Sequence, residues 1–138
     1  MAIKQISVFL ENNAGRLGEV TRVLAKAGVN LRALSIADTA DFGILRIIVN
    51  NNDAALNALK DGGFTAKQSE VVAVELQDKP GSLADVMELF EKAQVNIEYL
   101  YASLEGQDGK AVVIFKLGDH DKGLDLLKQK GIPLIESF

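Results

Sequence analysis

Apolar and polar positions along the chain change period in a regular order. Ile6, Val8 and Leu10 alternate with Ser7 and Phe9, and a period of two predicts a strand. From Arg16 the period lengthens. Leu17, Val20, Val23, Leu24 and Ala27 recur at helical spacing, with Arg16, Glu19, Arg22 and Lys26 on the other side. Gly28 stands just past the last periodic residue, where a left-handed stop is natural. Leu31 to Ala37 reads as a second strand, Asp38 to Gly43 as a turn, and Ile44 to Val49 as a third, almost wholly apolar strand. Asn50 to Asp53 offers helix-capping side chains ahead of a short helix from Ala54 to Lys60, closed by Gly62 and Gly63. Phe64 to about Glu70 is a fourth strand.

The same order then returns. Val71 to Leu76 is a strand; Ser82 to Ala93 is a helix with Leu83, Val86, Leu89, Phe90 and Ala93 inward. Ile97 to Leu104 and Ala111 to Leu117 are strands flanking a turn at Gly106 to Gly109. Asp119 or Asp121 caps a helix reaching Lys130, and Pro133 to Ser137 ends the chain as a strand. The repetition is literal. Asn12-Asn13-Ala14-Gly15-Arg16-Leu17 answers Asp78-Lys79-Pro80-Gly81-Ser82-Leu83, and Gly28-Val29-Asn30-Leu31 answers Gln94-Val95-Asn96-Ile97, each 66 positions on. By Val49 and Leu117 the offset has grown to 68, so the second copy carries two extra residues before its third strand. A repeat fixes the unit of folding and is settled before any residue is read for chemistry.

Two units follow, residues 1–69 and 70–138, each β-α-β-β-α-β. That order, written twice, is an α+β fold of two ferredoxin-like units, their antiparallel four-stranded sheets side by side and the helices on one face. A unit of about 70 residues has a thin core and is marginal alone. Strands apolar on both sides, such as Ile44 to Val49, also call for cover on both faces. The expectation is burial by the sister copy or by another subunit. Gln68 to Val72 is one extended run, which joins the units stiffly.

Composition narrows the function classes. The 138 residues are 48% hydrophobic and 25% charged, with no run long enough to span a membrane. Met1 to Gln5 leads into strand-like alternation without the apolar core of a secretory leader, so a cytoplasmic location is expected. The absence of cysteine removes disulfides and thiolate chemistry. A net charge of −4 gives no electrostatic reason to seek nucleic acid or an anionic membrane. No metal-ligand cluster, nucleophile–base set, P-loop or G-x-G-x-x-G is present, so neither an enzyme nor a cofactor is expected. His120, alone between Asp119 and Asp121, reads as a surface residue.

The strand-turn-helix junction is the strongest candidate for chemistry. The first-turn N–H groups of a helix lack internal partners and carry about half a positive charge, so a carboxylate can dock there. Asn12 and Asp78 lie three residues before Gly15 and Gly81, and Asn30 and Asn96 open the following strands, near the helix entry of a neighbouring unit. Amide side chains both donate and accept, which suits the ammonium and carboxylate of a free amino acid. Asp38 and Thr39 follow the second strand and are further candidates for a ligand's side chain, with an Asx turn as the competing reading. Arg16 and Lys79 are candidates for steering an anion, with solvation as the simpler role.

The pattern N/D-x-P/A-G-x-L, an amphipathic helix, then G-V-N-I/L resembles the ACT domain, the small amino-acid-sensing module of many enzymes of amino-acid metabolism. Asp78-Lys79-Pro80-Gly81-Ser82-Leu83-Ala84 is close to its signature, and Asn13-Ala14-Gly15-Arg16-Leu17 is a relaxed form with Ala14 at the usual Pro. The resemblance covers both copies and implies a regulatory pair without a catalytic domain. It implies a free amino acid as effector, bound between units, with Asn12 and Asn30 in one copy and Asp78 and Asn96 in the other helping to hold it. The two mouths differ, since the Asp78 carboxylate disfavours a ligand carboxylate while suiting an ammonium, and Gln94 replaces Gly28. Further partners implied are a second copy of the chain, as a homodimer, and an enzyme of amino-acid metabolism. The competing readings are an oligomerising scaffold without ligand and an RNA-binding βαββαβ module. RNA modules need basic surfaces and sheet aromatics, which an acidic chain with 6% aromatic residues supplies poorly beyond Tyr99 and Tyr101.

Overall fold

Each half alternates strands and helices in the order its hydrophobic periods dictate. The computed structural model describes residues 3–38, 42–104 and 108–138. The elements are β1 (Ile3–Glu11), α1 (Arg16–Lys26), β2 (Leu31–Asp38), β3 (Phe42–Val49), α2 (Asn52–Asp61), β4 (Thr65–Gln77), α3 (Ser82–Lys92), β5 (Ile97–Ala102), β6 (Lys110–Leu117), α4 (His120–Gln129) and β7 (Leu134–Ile135). The chain divides into two compact units, Lys4–Ser69 and Glu70–Ser137, with Ile3 grouping with the second. The division falls inside β4, a single thirteen-residue strand without an intervening loop. It is the last strand of one βαββαβ unit and the first of the next.

In the first unit the strand order is β2-β3-β1-β4. Register is antiparallel, with Ile6 opposite Ile47 and Val8 opposite Leu45. Those residues share the face under the helices. Ile6, Val8, Leu10, Leu45, Ile47 and Val49 pack there against Val20 and Leu24 of α1 and Ala55 and Leu59 of α2. The second unit repeats this with order β5-β6-β4-β7. Val72, Val74, Val113, Phe115 and Leu117 meet Val86 and Phe90 of α3 and Leu127 of α4. Phe90 and Phe115 meet edge to face, with ring centroids 5.4 Å apart, an arrangement aromatic pairs prefer. On the opposite faces Ala33, Ile48, Ala73 and Ile114 are buried as well, together with Gln5 and Ser7. Gln5 donates to Ser7 Oγ at 3.3 Å, which satisfies one of those buried polar groups.

The copies agree in their irregularities. A bulge falls between Leu31 and Ala33 in β2 and between Ile97 and Tyr99 in β5. Leu31 lies opposite Val49 and Ile97 opposite Leu117, so the two extra residues of the second copy fall in the β5–β6 connection. Of the turn expected at Gly106 to Gly109, Gly106 and Gln107 lie outside the described residues. The last strand is shorter than its pattern suggests. Only Leu134 and Ile135 pair with β4. Pro133 has no N–H to donate and contributes only its carbonyl, which accepts from Glu75 N–H at 3.0 Å.

Candidate functional site

Gly15 and Gly81 turn the chain from strand to helix in the same way. Gly15 has φ 89° and ψ −15°; Gly81 has φ 92° and ψ −17°. Both are left-handed, a region that costs an L residue about 1–2 kcal/mol, and no atom lies within 4 Å of where a Cβ would stand. The turns share a hydrogen-bond ladder. Asn13 N–H donates to Glu11 O at 2.9 Å, Arg16 N–H to Asn13 O at 3.3 Å, and Glu19 N–H to Gly15 O at 2.9 Å. In the second copy Lys79 donates to Gln77 at 2.9 Å, Ser82 to Lys79 at 3.3 Å, and Asp85 to Gly81 at 3.0 Å.

A glycine at the N-cap has no side chain to offer, and no side chain caps α1 or α3. The N–H groups of Leu17 and Gly18, and of Leu83 and Ala84, therefore sit in first turns that supply them no helical acceptor. The other two helices are closed. Asn51 Oδ1 accepts from Ala54 N–H at 3.1 Å at the start of α2, and Asp119 Oδ1 accepts from Lys122 N–H at 3.1 Å at the start of α4. So each unit has one helix start sealed by its own side chain and one left open.

Asn12, Asn13, Ala14, Gly15 and Leu17 are exposed, as are Asp78, Lys79, Pro80, Gly81 and Leu83; Arg16 and Ser82 are half-buried. Asn13 Nδ2 donates to Glu11 Oε2 at 3.1 Å. Asp78 N–H donates to Gly109 O at 2.9 Å, which ties the second loop to the strand beside it. Arg16 is engaged rather than free: it pairs with Glu19 at 2.7 Å and lies 4.9 Å over the Phe64 ring. Asp38 ends β2 opposite Gly43, and Gly43 lies opposite Leu10. Its backbone is thus at the Gly15 end of the unit; its side chain and Thr39 lie outside the described residues.

Asn30 lies at the other end. Its N–H donates to Asn50 Oδ1 at 2.9 Å and its carbonyl accepts from Asn50 N–H at 3.2 Å. Asn96 takes the same place, accepting from Gly118 N–H at 2.8 Å. The eleven residues of α1 separate Asn30 from Gly15, a span of about 16 Å at 1.5 Å per residue. One unit by itself does not bring its glycine mouth and its strand-opening Asn onto one small ligand.

His120 is not the surface residue its neighbours suggested. Its side chain is 14% exposed and Nε2 lies 3.2 Å from Glu70 Oε2. It is the first residue of α4, and its partner opens the second unit in β4, a pairing that sequence distance hides. Among the described residues no three His, Asp or Glu side chains stand together as a metal site. None of the described helices is long and apolar enough to cross a membrane.

Two duplicated βαββαβ units with glycine-opened helices define a class of small regulatory modules. The chain belongs to the ACT family: a family model for an ACT domain pair matches residues 1–137. A protein of Bacteroides thetaiotaomicron shares 44% identity over 98% of this chain and 92% of its own, with a TM-score of 0.92. The regulatory subunit of aspartate kinase from Thermus thermophilus has the same fold at 17% identity, covering 91% of this chain and 90% of that one, TM-score 0.66. Its Thermus flavus counterpart aligns over the same shares at 17% identity and a TM-score of 0.61. Among curated proteins no significant match is found.

Proposed function

We propose that this protein is a regulatory sensor that binds a free amino acid where ACT units meet and converts occupancy into a change of packing. The observation that carries the reading is the contrast between sealed and open helix starts. α2 and α4 are capped by Asn51 and Asp119, whereas α1 and α3 begin at left-handed glycines with no side-chain cap. An α-carboxylate fits such a start without a basic side chain. Asn12 or Asp78 stands beside it for the ammonium. Because Asn30 is remote from its own mouth, Asn30 or Asn96 serves the mouth of a neighbouring unit. Ligand then shifts the inter-unit equilibrium by its affinity difference between the two arrangements. Arg16 with Leu17, Lys79 with Ser82 and Leu83, and Asp38 shape the rims.

The neighbouring unit includes a second copy of the chain. β2 and β5 are terminal strands of the order, so each leaves a row of backbone groups unpaired. Both also present apolar side chains. Leu34 and its repeat counterpart Leu100 are 40% and 37% exposed, and at the helix starts Leu17 and Leu83 are 42% and 36% exposed. A surface that recurs in both units is matched by another copy of itself, which supports a homodimer. Two relatives of this fold are named regulatory subunits of aspartate kinase, which supports an enzyme of amino-acid metabolism as the regulated partner, with this chain binding rather than catalysing.

Isothermal titration of the intact chain with the twenty amino acids tests the reading. Binding by one or a few of them, weakened about tenfold in Asn12→Ala, is expected from the loss of a hydrogen bond to a charged group. Heat from none of them removes the sensor and leaves an assembly scaffold.

A further inference from the structure

The equivalent helices α1 and α3 carry opposite charge. α1 bears Arg16, Arg22 and Lys26 against Glu19, whereas α3 bears Asp85, Glu88 and Glu91 against Lys92. The reversal falls at matched places: Glu88 stands at the repeat position of Arg22, and Glu91 at that of Ala25. Local pairing removes one charge of each sign from both helices. Arg16 pairs with Glu19 at 2.7 Å, and Lys92 with Glu88 at 3.0 Å. What remains is Arg22 with Lys26 on α1 and Asp85 with Glu91 on α3, all four exposed. Among the described residues none of these four takes part in a salt bridge.

Neither set is favourable where it stands. Arg22 and Lys26 are four residues apart, and like charges at that spacing destabilise a helix on its own. Glu88 lies three residues from both Asp85 and Glu91, so the carboxylates of α3 form one stripe. Beside the basic pair the surface is hollow. A cleft of about 490 Å³ is lined by Val23, Gly62 and Phe64 together with residues of α1 that include Glu19, Arg22 and Lys26. Arg22 lies back along α1, where a Cβ on Gly18 would stand 3.0 Å from its Nη1. Small exposed residues, Thr21 and Ala25 on α1 and Ala84 on α3, leave room for another helix to come close.

We propose that α1 of one copy docks against α3 of a second copy of this chain. Arg22 and Lys26 then face the stripe of Asp85, Glu88 and Glu91, and side chains of α3 enter the cleft at Val23 and Phe64. Charge complementarity selects this occupant. Of the pairings between these two helices, α1 on α1 and α3 on α3 set like charges together, and only α1 on α3 sets opposite charges together. Each copy offers one face of each kind. The contact uses neither the glycine mouths nor the edge strands β2 and β5, and it needs no ligand.

The test is sedimentation of the intact chain at about 0.1 M and about 1 M salt, between which the screening length falls from about 10 Å to about 3 Å. Association is expected to weaken at the higher salt. At the lower salt Arg22→Glu and Glu91→Lys are each expected to weaken it about tenfold, because each sets like charges face to face. An equimolar mixture of the two variants is expected to restore it, since the reversed α1 of one then meets the reversed α3 of the other. Arg22→Glu places a carboxylate four residues before Lys26, and Glu91→Lys a cation three residues after Glu88, so a thermal melt of either variant should show no loss of stability. Association indifferent to salt and to both variants, yet weakened in Leu34→Lys, overturns the helix contact and leaves an edge-strand dimer standing. Variants that weaken association but do not recover on mixing overturn it too. So does a chain that stays monomeric, which leaves the basic face of α1 to an acidic partner other than itself.

Discussion

Gly15 and Gly81 hold one backbone conformation at equivalent places in the two units, φ 89° and 92°, each with open space where a side chain would begin. Because nothing would be struck, substitution by alanine isolates the cost of the left-handed backbone. Gly15→Ala and Gly81→Ala are each expected to lower unfolding free energy by about 1–2 kcal/mol, with similar values in the two copies. Urea unfolding measures this; a loss above about 4 kcal/mol in either variant contradicts the open geometry.

The sealed helices respond differently. Asn51→Ala removes the acceptor for Ala54 N–H, and Asp119→Ala the acceptor for Lys122 N–H. Each is expected to cost about 1 kcal/mol, visible as a lower denaturation midpoint with an unchanged slope. Replacing Asn51 by Asp keeps an acceptor and should retain most of the stability.

Gly123 sits inside α4, where alanine would ordinarily gain about 1 kcal/mol of helix propensity. Here a Cβ would overlap the buried Leu117 side chain. Gly123→Ala is therefore expected to destabilise, by about 1–3 kcal/mol of overpacking less the propensity gain. The first copy has Ala55 at the matching position, fully buried, so Ala55→Gly should also destabilise. A thermal melt in which Gly123→Ala rises would show that Leu117 can move aside.

The exposed leucines bear on assembly. Leu34 lies opposite Ile47 on β3 and so faces the helix side, at the free edge of the sheet. In the homodimer proposed above, Leu34→Lys places a charge at this edge and is expected to shift sedimentation toward monomer, with Leu100→Lys acting alike; sedimentation unchanged in both variants removes this edge from the proposed contact. Folding of the single chain should change little, because both positions are solvent-exposed.

The fold was largely legible in the sequence because period and punctuation agree. Ile6, Val8 and Leu10 do line one face of β1 and enter the core, and Val20 and Leu24 do face them from α1. Repetition added the check that a single unit lacks: bulges at Leu31–Ala33 and Ile97–Tyr99 fall at equivalent positions. The ends were less legible. Pro133 to Ser137 read as a strand, yet only Leu134 and Ile135 pair, with Pro133 ahead of them having no N–H to donate. The junction glycines were legible as turn residues, and their open helix starts followed from the missing side chain. The sealing of α2 was anticipated by Asn50 to Asp53, where Asn51 provides the cap. What periodicity conceals is contact between distant positions. His120 and Glu70 meet at 3.2 Å across fifty residues, and Arg16 meets Phe64 across forty-eight. Neither pair leaves a spacing signal. The difference between Arg16–Phe64 and Ser82–Ile132 becomes visible only when the two copies are laid on each other.

The uninterrupted β4 has a genetic consequence. Side chains of a strand alternate between faces, and β4 passes from Ser69 to Glu70 without a loop to absorb a change of length. A single codon gained or lost there would turn Val72 and Val74 away from the helix face and carry Ala73 onto it. Loops such as the β5–β6 connection tolerate two additional residues; this crossing tolerates only even numbers.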